Sequence, residues 1–86
     1  MLVDLETAKD HLRMDADDAD EVIFSKIEDA TSIVLDYLKI EEEPDPVPNF
    51  VRAATLLVVE ALFDGSDPLS DVVVRLLHRY RDPAFA

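Results

Sequence analysis

Cysteine and tryptophan are absent, and glycine occurs once in 86 residues. Without cysteine the chain has no disulfides and no thiolate metal ligands, so neither a cross-linked scaffold nor a cysteine zinc site is open to it. The single glycine removes the glycine-rich loops that cradle phosphates and the nucleophile elbow of serine hydrolases, so Ser25, Ser32, Ser66 and Ser70 lack that setting. Basic side chains are also scarce. Eight Lys and Arg stand against 20 Asp and Glu, a formal net charge of −12. A surface this negative repels phosphate backbones and argues against sequence-specific nucleic-acid binding through a broad basic patch. No apolar run approaches the roughly 20 residues of a membrane span. The longest, around Ala53 to Phe63, is broken by Thr55 and Glu60. The opening Met1-Leu2-Val3-Asp4-Leu5-Glu6 lacks the basic and apolar segments of a signal peptide, so no membrane association and a cytoplasmic site of synthesis are expected.

What is present is a substantial apolar fraction, 49% of the chain, which is normal for a folded protein and too high for a disordered acidic tail. One domain over residues 1–86 is expected, at the small end of what folds alone. So short a chain has a high ratio of surface to volume. Apolar side chains left outside are a reason to expect a partner, including further copies of the same chain. The charge is lopsided: residues 1–46 hold 15 acids against 4 bases, and residues 47–86 hold 5 against 4.

The apolar spacing is helical throughout, and it predicts an all-α fold, a small bundle of about four helices with two longer central ones and short terminal ones. A first helix should start at Asp4, whose carboxylate can cap the next turn, and carry Leu5, Ala8 and Leu12 on one face. It should stop near Arg13-Met14, before the crowded acids Asp15-Ala16-Asp17-Asp18. A second helix, capped by Asp18 or Asp20, carries the stripe Ile23, Ile27, Ala30, Val34, Leu38, broadened by Val22, Ile33 and Tyr37. It leaves Glu28, Asp29 and Asp36 to water and ends near Lys39. Residues 41–48 read as a linker, since Pro44, Pro46 and Pro48 at alternate positions forbid a helix. Pro48 suits the first turn of a third helix, roughly Asn49 to Phe63, that is apolar around most of its circumference and must be buried on several sides, at the centre of the domain or between subunits. Asp64-Gly65 should end it, with the glycine as a left-handed cap. A last helix, capped by Asp67 or Ser70, has Val73, Leu76, Leu77 and Tyr80 as its apolar face and stops at Asp82-Pro83.

No catalytic constellation assembles from these residues. The acidic cluster Asp15 to Glu21 has a superficial likeness to a calcium loop, but the sixth and twelfth places, which need glycine and glutamate, hold Asp20 and Lys26. A solvated turn is the better reading. His11 and His78 lack a ligand partner at helical spacing, so no metal and no cofactor are expected. Glu60 interrupts the most apolar helix and should face water or meet a cation such as Arg75 or Arg79. The run Arg75-Leu76-Leu77-His78-Arg79-Tyr80-Arg81 is the only basic concentration. It could touch nucleic acid or bind the acidic half of a neighbouring copy, and the overall charge favours the second. A charge dipole within each copy suits head-to-tail rings.

The order of these features resembles the head–tail connector (adaptor) proteins of tailed bacteriophages. The opening Leu2 to Asp15, with Ala8-Lys9 and Leu12-Arg13 before an acidic turn, is similar to the start of that family. Ala30-Thr31 and Tyr37-Leu38 follow in the second helix. Val47-Pro48 leads into Val51-Arg52-Ala53-Ala54, and Leu76-Leu77 with Tyr80-Arg81-Asp82-Pro83 closes the chain. The resemblance implies a structural, non-enzymatic virion or prophage protein, made in the bacterial cytoplasm, that forms a ring of about a dozen copies. That ring docks beneath the portal protein, joins it to head-completion and tail proteins, and lets DNA pass through an electronegative centre. On this reading the third helix and its neighbours build the contact between copies, with Arg52, Leu56, Val59, Glu60 and Phe63 on the third helix and Arg75, Arg79, Tyr80 and Arg81 on the fourth. The alternative is an acidic DNA mimic or antitoxin-like inhibitor that occupies the basic groove of a partner protein. It accounts for the charge but not for the apolar third helix or the proline linker.

Overall fold

The computed structural model describes residues 2–13 and 20–81, with the Arg81 side chain excepted. Four helices run in order: α1 (Leu5–Leu12), α2 (Asp20–Leu38), α3 (Asn49–Asp64) and α4 (Asp71–Arg81). No strand occurs among the described residues. The expected all-α bundle, with two long helices flanked by two short ones, is therefore what forms.

The helix ends that adjoin described residues have local causes. Asp4 is extended and its Oδ1 accepts the Thr7 amide at 2.7 Å, which satisfies one of the free donors of α1. Ser70 does the same for α4 by accepting from the Val73 amide, while Asp67 accepts from the Leu69 amide and shapes the preceding turn. Two expectations at the helix starts, on Asp20 and on Pro48, are corrected. Asp20 is the first residue of α2 rather than its cap, and Asp18 lies outside the described residues. Pro48 precedes α3 instead of sitting in its first turn. Its φ of −61° and ψ of 146° are extended, and its carbonyl accepts from the Val51 and Arg52 amides.

Three helices end on a residue in the left-handed region: Arg13 after α1, Lys39 after α2 and Gly65 after α3. At the α2 end the Ile40 amide reaches back to the Leu35 carbonyl and the Lys39 amide to that of Asp36, a closure that satisfies the terminal carbonyls. At the α3 end the Ser66 and Gly65 amides both reach the Ala61 carbonyl. The linker 41–48 contains no helix, as its prolines dictate.

The four helices share one core. From α2 come Ile23, Ile27, Ala30, Val34 and Leu38, the stripe expected from the spacing; from α3 Val51, Ala54, Val58 and Val59; from α4 Val73 and Leu77; from α1 Ala8. Each such branched side chain contributes about 1.5–3 kcal/mol when taken fully out of water. Val22 is corrected: it does not broaden the α2 stripe but is 51% exposed, whereas Ile33 and Tyr37 pack against the core as expected. Leu2 and Val3, ahead of α1, are buried as well, and the Leu2 amide meets the Thr31 hydroxyl of α2 at 3.4 Å. Thr55, fully enclosed in α3, donates its hydroxyl to the Val51 carbonyl one turn back at 2.8 Å.

Both α2 and α3 touch every other helix, while α1 and α4 have no contact with each other. The apolar circumference of α3 is met in part by these neighbours: Val51, Ala54, Val58 and Val59 are buried, whereas Leu56, Leu57, Leu62 and Phe63 are half-buried and Ala53 is exposed. The α2–α3 pair is the centre of the domain. Consequently α1 and α4 occupy separate flanks of the α2–α3 pair.

Candidate functional site

The basic run Arg75 to Arg81 sits on α4. Burial of Val73 and Leu77 turns the opposite side of that helix to water, with Val72, Arg75, His78 and Arg79 exposed. Val72 is 55% exposed. The Arg79 guanidinium lies over the Phe50 ring of α3, its carbon 5.1 Å from the ring centre, and Phe50 in turn meets Tyr80 at 6.4 Å between ring centres, tilted by 51°. These contacts fasten the C-terminal half of α4 to the start of α3. Among the described residues neither Arg75 nor Arg79 forms an ion pair. Arg81 ends α4, and its side chain lies outside the described residues.

The outward side of α2 carries the opposite sign. Glu21, Ser25, Glu28, Asp29, Ser32 and Asp36 are exposed, together with Val22 and with Phe24 at 43%. At the start of this helix Asp20 receives Lys9 Nζ of α1 at 2.8 Å on an oxygen that is itself screened from water, an ion pair that joins the two helices. Other acids are engaged locally. Hydrogen bonding from Thr7, through side chain and backbone, holds the Asp4 carboxyl below its usual 3.8; slight burial opposes this, and the charge of Arg52 adds to the lowering. Arg52 therefore lies near Asp4 of the same chain, on the rim of a depression with Leu2, Val3 and Val47.

Glu60 faces water, as expected, but the side chain it meets is His11 of α1, with Nε2 3.3 Å from Oε2, rather than Arg75 or Arg79. This contact is an ion pair when the imidazole is protonated. The remaining candidates on α3 face inward to different degrees. Val59 is fully enclosed in the core of the domain and offers no surface, while Leu56 and Phe63, like Tyr80 of α4, are half-buried against that core. The exposed apolar residues Val22, Phe24, Leu69 and Val72 are the ones that helical spacing did not single out for a surface. Their signal was their position, each one residue away from a buried or capping residue.

Reactive groups are dispersed. His11 lies on α1 and His78 on α4, helices that do not touch. Among the described residues no group of three or more His, Asp or Glu side chains could hold a metal ion, and no helix is long and apolar enough to cross a membrane. Asp15 to Ala19, most of the acidic stretch with a likeness to a calcium loop, lies outside the described residues. The arrangement is one of complementary surfaces, a basic helix and an acidic helix each with an exposed valine.

Comparison with known proteins yields a family match: the model of the phage gp6-like head-tail connector proteins covers residues 2–80. No curated protein and no solved structure matches.

Proposed function

Since the chain belongs to the phage gp6-like head–tail connector family, structural proteins of the junction between phage head and tail, we propose that it assembles as a ring of about a dozen copies. The ring sits between the portal protein and the head-completion and tail proteins, forms in the host cytoplasm, and lets DNA pass through its centre. The family match over nearly the whole chain is the observation that carries this reading. Two features support it. A net charge of −12 gives the surface a sign along which a duplex slides without adhering. Basic α4 and acidic α2 give each copy two different faces of opposite sign, which suits a heterologous contact that repeats around an axis.

The test is reconstitution with purified portal rings of the same phage or prophage, imaged by negative-stain microscopy. The expected result is an added layer of density beneath the portal with its rotational symmetry and an open centre. A chain that leaves portal rings bare at any concentration, and instead captures a single basic host protein, would favour the inhibitor reading. No feature of the fold favours that alternative at present.

A further inference from the structure

Helices α2 and α4 carry matched outer faces. In α4, Val72, Arg75 and Arg79 follow one another at spacings of three and four, and seven positions complete nearly two helical turns, so the three share one exposed stripe. In α2, Val22, Ser25 and Asp29 have the same spacing, and Asp36 extends the stripe by another seven. The two stripes hold the same place relative to their cores, because Val22 precedes buried Ile23 as Val72 precedes buried Val73. Each therefore presents a valine more than half exposed followed by charge, negative on α2 and positive on α4. None of Asp29, Asp36, Arg75 and Arg79 is ion-paired among the described residues. Lys26, half-buried, lies on the flank of the α2 stripe, and Lys39 follows it at the end of the helix.

We infer that the α4 stripe of one copy docks on the α2 stripe of the next, so that Val22 and Val72 are covered and Arg75 and Arg79 face Asp29 and Asp36. The inference rests on the connector reading and names the contact that reading requires. The occupant is a second copy because the chain itself supplies both signs, each beside an uncovered valine. A single copy cannot satisfy its own stripes, since the stripes point away from the core on which α2 and α4 meet. The contact is heterologous: each copy uses one face of each kind, and a chain of such contacts closes into a ring when the rotation allows.

The experiment is sedimentation velocity at high protein concentration and low salt on three chains, the wild type, Arg75→Glu/Arg79→Glu and Asp29→Lys/Asp36→Lys, with helicity checked by circular dichroism. Wild type is expected to associate, and each variant to associate at least about tenfold more weakly, since like charges then face each other. An equimolar mixture of the two variants should recover association, because acid again meets base at every contact. The absence of native cysteine allows an independent check. Val72→Cys and Ser25→Cys, prepared separately and mixed, should give a covalent mixed dimer with a short bismaleimide, and neither should do so alone. Variants that associate like wild type, or a mixture that gives no mixed dimer, overturn the assignment of these two stripes while the connector role survives. Wild type that stays monomeric throughout overturns the contact between free copies, whereas the connector role itself fails only if the portal is also left bare.

Discussion

The guanidinium of Arg79 sits over the ring of Phe50, 5.1 Å from its centre. One residue thereby holds the C-terminal half of α4 against the start of α3 and keeps a positive charge on the outside of the bundle. A cation over an aromatic face at an exposed site contributes about 0.5–1 kcal/mol. Arg79→Ala is expected to lower stability to urea by about 1 kcal/mol, including the packing of its aliphatic stem. Phe50→Leu should lose a similar part, and the double variant little more than either alone, which a double-mutant cycle would measure.

Asp4 gives the fold a defined acid sensitivity. Its folded-state value is depressed, chiefly by the hydrogen bonds from Thr7 and further by Arg52. A depressed carboxyl contributes stability that is present above its unfolded value of 3.8 and is lost as pH falls through the lower, folded value. Asp4→Ala should therefore cost about 1 kcal/mol at neutral pH, the usual worth of such a cap. In strongly acidic solution its melting temperature should approach that of wild type. A constant difference at every pH would mean that the cap does not depend on the charge.

Ile27 lies at the middle of the α2 stripe with no exposed surface. Ile27→Ala is expected to destabilise by about 2–5 kcal/mol through lost burial and the cavity left behind. A domain of this size has a total stability on the order of 5–10 kcal/mol, so the variant should be close to unfolding in equilibrium denaturation. Glu60→Ala, on the surface of the neighbouring helix, should change stability by no more than about 0.5 kcal/mol.

Gly65 ends α3 with φ at 73°, and a side chain placed there would meet nothing within 4 Å. The cost of Gly65→Ala is consequently one of backbone conformation alone, about 1–2 kcal/mol. Thermal unfolding should show this loss without any change in helix content at low temperature. Gly65→Asn should be milder, because asparagine tolerates the left-handed region.

Much of this fold is legible along the chain because its cues are local. The stripe from Ile23 to Leu38, the Asp4 cap, the glycine stop after Asp64 and the proline-rich break before Asn49 each depend on residues within two turns of one another. Helical spacing, side-chain capping and proline geometry act at that range. The connector family is legible in the same way, from the order of such pieces. Less legible were the residues whose fate depends on a partner distant in sequence. Glu60 is expected to face water or meet a cation such as an arginine of α4; it does face water, but His11, 49 positions away, is what lies beside it. Val59 read as a surface candidate because its helix is apolar on most sides, and burial on one side rather than another is set by neighbouring helices.

By itself, then, the order of residues determined where the helices start and stop, which faces of α2 and α4 turn inward, and the surplus of negative charge, because all three follow from short-range periodicity and composition. Only tertiary packing decided which side of α3 is buried in the core, that α1 and α4 lie on separate flanks, and that Val22 and Val72 are left outside beside charges of opposite sign. Those outcomes depend on which faces are already covered by other helices, and that competition for a small core is not written at any one position in the chain.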